Sequence, residues 1–187
     1  MNKTIKAALA GLVTSTAMLS AAYAEDIKVG ILLPYSGVYA ALGQDIDDAF
    51  ALGLETFGAD SGATFEIVRE DTEVKPPVGL AKTKKLILQD EVDVMVGVVS
   101  SGVLGAIRDT VDGAGVPLIV ANAGNDEATG EACSPFITRI SFSNSQINRP
   151  MGQWMFDRGV KKVFTIAPDY AAGRQMIDAF TTAFTAA

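Results

Sequence analysis

Short apolar runs alternate with longer stretches of helical period from residue 27 to residue 121, and this alternation limits the fold more than anything else in the chain. Residues 27–33 are rich in β-branched side chains and Leu, the composition of a buried parallel strand. A Pro-Tyr-Ser-Gly break at 34–37 ends it. Leu42, Ile46, Ala49, Phe50, Gly53 and Phe57 then recur at helical spacing, with Asp45, Asp47 and Asp48 assigned to a solvated face near the helix start. Residues 64–70 read as a second strand, and Pro76-Pro77 open a basic helix to Gln89. Residues 92–99 form a third strand, 101–112 a third helix and 117–121 a fourth strand. Strands alternating with helices over connections this short give βαβ units and a largely parallel sheet. Beyond Ala121 the rhythm changes. A polar loop at 122–134 leads to a short extended piece at 136–141, a helix at 144–158, a strand at 163–167 and a helix at 171–184. A second βα series thus begins, with fewer strands than the four to six of a usual sheet, and the expectation is a piece of a longer protein.

The first 24 residues have a different character. Lys3 and Lys6 precede an apolar run from Ala7 to Leu19, and Ala22-Tyr23-Ala24 is an A-x-A site. This order is that of a secretory signal cleaved before Glu25, and the run is too short to span a bilayer. No Cys follows it for lipid attachment, so the exported chain is expected in the periplasm without membrane insertion. Cleavage removes two lysines and no acid, taking the net charge from −7 to −9. A chain that acidic is a poor partner for nucleic acid or anionic membrane. There is no His, which excludes a His base, a Ser-His-Asp triad and a His-liganded metal within this chain. The single Cys133 has no internal disulfide partner. No metal or cofactor is expected, and a monomer is.

In an open parallel sheet the ligand lies beyond the carboxyl ends of the strands. Four such ends carry unusual loops: Pro34 to Tyr39, Glu70 to Thr72, Gly97 to Gly102 and Ala121 to Asn125. The third is the sharpest. Ser100 or Ser101 sits where a helix N-cap belongs, so the N–H groups of Gly102 and Val103 point outward at the positive end of the helix dipole. A carboxylate fits there without Lys or Arg; a plain helix cap is the ordinary alternative. The run Gly97-Val-Val-Ser-Ser-Gly102 is not a P-loop, and no G-x-G-x-x-G follows the first strand, so Asp71 is not read as a ribose-binding acid. Tyr35, Tyr39 and Tyr170 each suit either stacking on a ligand or packing in the core or rim.

The stretches 27–37, 92–102, 117–124 and Asp169-Tyr-Ala-Ala-Gly-Arg174 occur together, in that order, after a signal. So arranged, the chain resembles the type I periplasmic solute-binding proteins of branched-chain-amino-acid-type ABC transporters. The resemblance implies two α/β lobes joined by three crossing strands, closing on a ligand. Residues 25–140 would be most of lobe one. The first crossing would fall at 138–144, and 141–187 would hold the rest of that crossing and the start of lobe two. Ser100 and Ser101 would hold the ligand carboxylate, with Gly102 beside them. Ala121, Ala123 and Asn125 would meet the α-substituent, and Tyr170 would stack on the ligand. Asn125 stands where amino-acid binders often carry Thr, and Ala172 where they often carry Tyr. Both departures point toward members that bind aromatic or other small carboxylates. The resemblance implies a binding protein without catalysis that delivers a small carboxylate to a membrane permease. An exported sensor domain of the same fold is the alternative. An exported enzyme would need Lys or a carboxylate as its base, and a cytoplasmic regulator is opposed by the signal.

Overall fold

The structure, a computed structural model, describes residues 26–186; the leader reading at 1–24 lies outside them. Five parallel strands form one sheet in the order β2-β1-β3-β4-β5. They are β1 (Asp26–Leu33), β2 (Thr64–Asp71), β3 (Val94–Gly97), β4 (Leu118–Val120) and β5 (Ile137–Arg139). The helices are α1 (Ala40–Phe57), α2 (Pro76–Leu88), α3 (Ser101–Ala114), α4 (Asn144–Asp157) and α5 (Ala171–Ala186). The α/β, parallel-sheet reading of the sequence therefore holds.

Strand alternation decides which helix covers which face. Val29, Ile31 and Leu33 of β1 join Val96 and Val99 in a core closed by Ile46 and Phe50 of α1. Leu32 points the other way, into a larger core with Met95, Leu118, Val120 and Ile137, closed by Leu86 of α2 and by Val103, Leu104, Ile107 and Val111 of α3. Apolar side chains on both faces are what a doubly covered parallel strand requires. The order reverses between β1 and β3, so the crevice beyond their carboxyl ends is the switch point where ligands enter such sheets.

The sheet ends at that crevice through a costly turn. Gly97 has φ +140°, and a Cβ there would lie 2.2 Å from the Leu32 carbonyl oxygen. Val98 follows at φ 43°, an outlier for a β-branched residue. Its N–H donates to the Leu32 carbonyl (3.0 Å). Only glycine passes this close to β1, and the turn sends the chain directly into α3.

Three sequence expectations change. Residues 137–139 pair with β4, so Thr138 and Arg139, expected to begin a crossing, also serve as the edge strand of this sheet. The N–H of Leu118 donates to the Phe136 carbonyl and that of Ile140 to the Val120 carbonyl, which uses this extended piece as an edge strand. Asp47 is not on a solvated face: it is 6% exposed, and Arg69 Nε donates to its Oδ2 at 2.7 Å. Asp45 and Asp48 are exposed as expected. Finally, residues 163–167 form no strand. Phe164 and Ile166 are 90% and 89% exposed. A strand exists only as half of a ladder, and among the described residues nothing pairs with this segment. α4 and α5 instead pack on each other.

Candidate functional site

Three strand ends and one later loop converge on a cavity of about 350 Å³. Val38 and Tyr39 come from the loop after β1, Val74 and Pro76 from the connection after β2, Ser100 and Gly102 from the start of α3, and Pro168 and Tyr170 from the loop before α5. Among the described residues no charged side chain lines it. Its walls are aromatic and aliphatic, and its polar end is the N-terminus of α3.

That polar end is built from backbone. Ser100 is the N-cap, in extended conformation, and its hydroxyl makes no capping bond. The Ser100 carbonyl receives the first helical bond, from Leu104 N–H at 3.0 Å. The N–H groups of Gly102 and Val103 precede any intrahelical donor position, so they face outward at the positive end of the dipole. Gly102 leaves them open: a Cβ there would meet Pro76 and Tyr170 only at van der Waals distance, and a longer side chain would enter the cavity.

Tyr39 and Tyr170 face each other across the cavity, their hydroxyls 3.2 Å apart although 131 residues separate them. Burial, then the hydrogen bond to Tyr39, pushes the Tyr170 phenol up to about 12. The Tyr170 phenol therefore stays neutral at physiological pH. Tyr35, also a candidate, lies elsewhere. It packs under α1 with the smaller core, and its buried hydroxyl faces Asp47 and Arg69. Burial and then the Asp47 charge raise its pKa strongly. Its contribution to the cleft is indirect. Tyr35 N–H and Glu73 N–H both donate to Asp71 Oδ1 (2.9 and 2.8 Å), which ties the β1 and β2 ends together.

The remaining candidates are committed to holding the loops. Ser101 is buried, and its hydroxyl accepts from Asn144 Nδ2 at 3.1 Å. Asn125 is buried too: its Nδ2 donates to the Ser101 carbonyl (3.0 Å), and its Oδ1 accepts from Glu127 N–H (3.0 Å) and from Gln175 Nε2 (3.3 Å). The N–H groups of Ala121 and Ala123 donate to Gly97 and Val98 carbonyls. Ala123 is fully buried in the larger core. The loop after β4 thus braces the α3 start. Of the nine candidates the structure brings Tyr39, Ser100, Gly102 and Tyr170 to the cavity, sets Ser101, Ala121, Ala123 and Asn125 behind it, and keeps Tyr35 apart.

Sequence reasoning missed the apolar walls Val38, Val74, Pro76 and Pro168, and the amides Asn144 and Gln175. Val74 adopts φ 58°, which no sequence pattern announces for a β-branched residue. Asn144 and Gln175 lie in the first turns of helices and carry no periodic signal.

Comparison with known proteins places the chain in a family. Residues 26–187 match the Periplasmic binding protein family, and the chain belongs to that family. It is 31% identical over 186 residues to the Leu/Ile/Val-binding protein homolog 6 of Brucella abortus, covering 96% of this chain and 46% of that protein. Among solved structures, an ABC-transporter solute-binding protein from R. palustris in complex with benzoate is 41% identical with a TM-score of 0.81, covering 86% of this chain and 45% of that one. A second, from Rhodopseudomonas palustris BisB5 with 3,4-dihydroxy benzoic acid, is 33% identical with a TM-score of 0.79, covering 86% and 44%. The chain spans about half the length of the relatives it matches. No described helix is long and apolar enough to cross a membrane.

Proposed function

We propose that this chain is the first lobe and the beginning of the second lobe of a periplasmic solute-binding protein that captures an aromatic carboxylate for an ABC importer. The observation that carries this reading is the cavity at the sheet's switch point. It is apolar and aromatic along its walls and ends in unpaired helix N–H groups, with no charged side chain lining it. A benzoate-like anion matches both parts. Its carboxylate would lie on the N–H groups of Gly102 and Val103 beside the Ser100 hydroxyl, where the dipole favours negative charge. Its ring would lie between Tyr39, Val74, Pro76 and Tyr170. An α-amino acid also brings an ammonium, and the lining residues offer it no acid. The benzoate- and dihydroxybenzoate-bound neighbours support the same ligand class.

In this reading residues 25–140 are lobe one, 141–187 are the crossing and the start of lobe two, and residues 1–24 are the export signal. Capture is closure of the lobes on the ligand, which stabilises the closed state by the ligand's preference for it. The closed form is then what a membrane permease recognises. Among the described lining residues none pairs a nucleophile with a base, and in this reading the ligand is held and released unchanged.

Calorimetric titration of the full-length protein tests the reading. Benzoate should bind, leucine at least 100-fold more weakly, and benzamide weakly for want of a charge. Gly102→Leu should abolish benzoate binding by filling the cavity. Leucine binding with benzoate silent would replace this ligand class.

A further inference from the structure

One amide on α5 reaches the start of α3 through two others. Gln175 Oε1 accepts from the Asp126 N–H (3.1 Å) and from Asn144 Nδ2 (2.8 Å), while its Nε2 donates to Asn125 Oδ1 (3.3 Å). Asn144 and Asn125 then converge on a single residue. Asn144 Nδ2 also donates to the Ser101 hydroxyl, and Asn125 Nδ2 donates to the Ser101 carbonyl. Both asparagines are buried, where each polar contact is strengthened and a lost partner is expensive. Gln175 is half-buried and does not line the cavity. It lies on the same helix whose preceding loop supplies Tyr170, so the helix grips the sheet at two places: Tyr170 on Tyr39 in the cavity, and Gln175 on the Asn125 loop behind it.

We propose that Gln175 is a positioning residue of ligand capture: it fixes the opening turn of α3 through Asn144 and Asn125 and ties α5 to the sheet in the closed arrangement, without touching the ligand. This rests on the cavity being the ligand site. The amide is suited to the task because it needs both an acceptor, for Asp126 and Asn144, and a donor, for Asn125. A clamp of this kind acts after encounter, so it governs release rather than association.

The test uses the full-length protein and benzoate, in stopped-flow binding and thermal melts. Gln175→Leu should speed benzoate release about tenfold and leave the association rate unchanged. The ligand-free melting temperature should fall by less than the benzoate-bound one, so the rise on adding benzoate should shrink. Gln175→Glu keeps the two acceptor contacts but sets a carboxylate oxygen against Asn125 Oδ1, so it should restore the wild-type release rate only in part. Amide hydrogen exchange of the ligand-free protein reads positioning without any ligand: Leu104 and Glu127 N–H should exchange faster in Gln175→Leu. Unchanged release and unchanged exchange in that variant would overturn the proposal. So would an equal loss in both variants, or a ligand-free melting temperature that falls as far as the ligand-bound one. Wild-type protein that ignores benzoate while the exchange effect persists would sink the ligand reading and leave the clamp standing.

Discussion

Residues 94–97 and 163–167 carry the same kind of sequence, Val-Met-Val-Gly and Val-Phe-Thr-Ile-Ala, yet only the first is a strand. The first has β1 on one side and β4 on the other, and its Met95 and Val96 are buried against helices on both faces. The second has no ladder partner among the described residues and leaves Phe164 and Ile166 in solvent. Apolar β-branched sequence is thus a request for neighbours, and the fold answers it only where neighbours exist. α3 and α4 repeat the contrast. Val103, Leu104, Ile107 and Val111 of α3 are fully buried, whereas Ile147, Met151 and Trp154 of α4 are about half exposed.

The largest expected effect is at the turn that closes β3. Gly97→Ala drives a Cβ into the Leu32 carbonyl and forces an L residue into φ +140°, so it should cost more than about 3 kcal/mol in chemical denaturation. Next, Ile107→Ala should cost about 2–5 kcal/mol, as emptying a fully buried site does. Phe164→Ser in the present chain should stay within about 0.5 kcal/mol. In the full-length protein the two should become comparable, because there a second sheet would cover residues 163–167. A Phe164→Ser variant that remains neutral in the full-length protein would show that residues 163–167 stay uncovered there.

These effects also show what the residues could announce. The parallel sheet, its helices and the crevice beyond the strand ends were legible because period-2 and period-3.6 patterns report burial directly. The buried Asp47 was not, since its partner Arg69 is on β2 and only the fold brings them together. At the cavity, Ser100 and Gly102 could be found from helix-capping logic. The commitment of Ser101 and Asn125 could not, because it depends on Asn144 and Gln175, amides distant in sequence that converge only in space.

The smallest expected effect is on pH dependence. Tyr170 has a raised pKa, so its contribution is fully present below about 10 and is lost as pH rises through about 12. At the other end, burial pushes Glu70 up, but Lys82 and Lys85 more than reverse this and hold its carboxyl low. Asp71 is also held low, burial being outweighed by bonds from Ser36, Glu73 and Tyr35. Their contribution is present above the ordinary carboxylate range and is lost as pH falls below about 4. Melting temperatures should therefore form a plateau between the two limits. A decline beginning near pH 7 would point to a titrating group other than these.

In the proposed complex, backbone N–H groups opening α3 hold an aromatic carboxylate. Titrating isotopically labelled full-length protein with benzoate, and following amide resonances, tests it directly. Gly102 and Val103 N–H should show the largest downfield shifts, saturating with the same affinity as the calorimetric curve. Saturable benzoate binding that leaves those two amides unmoved would place the carboxylate elsewhere.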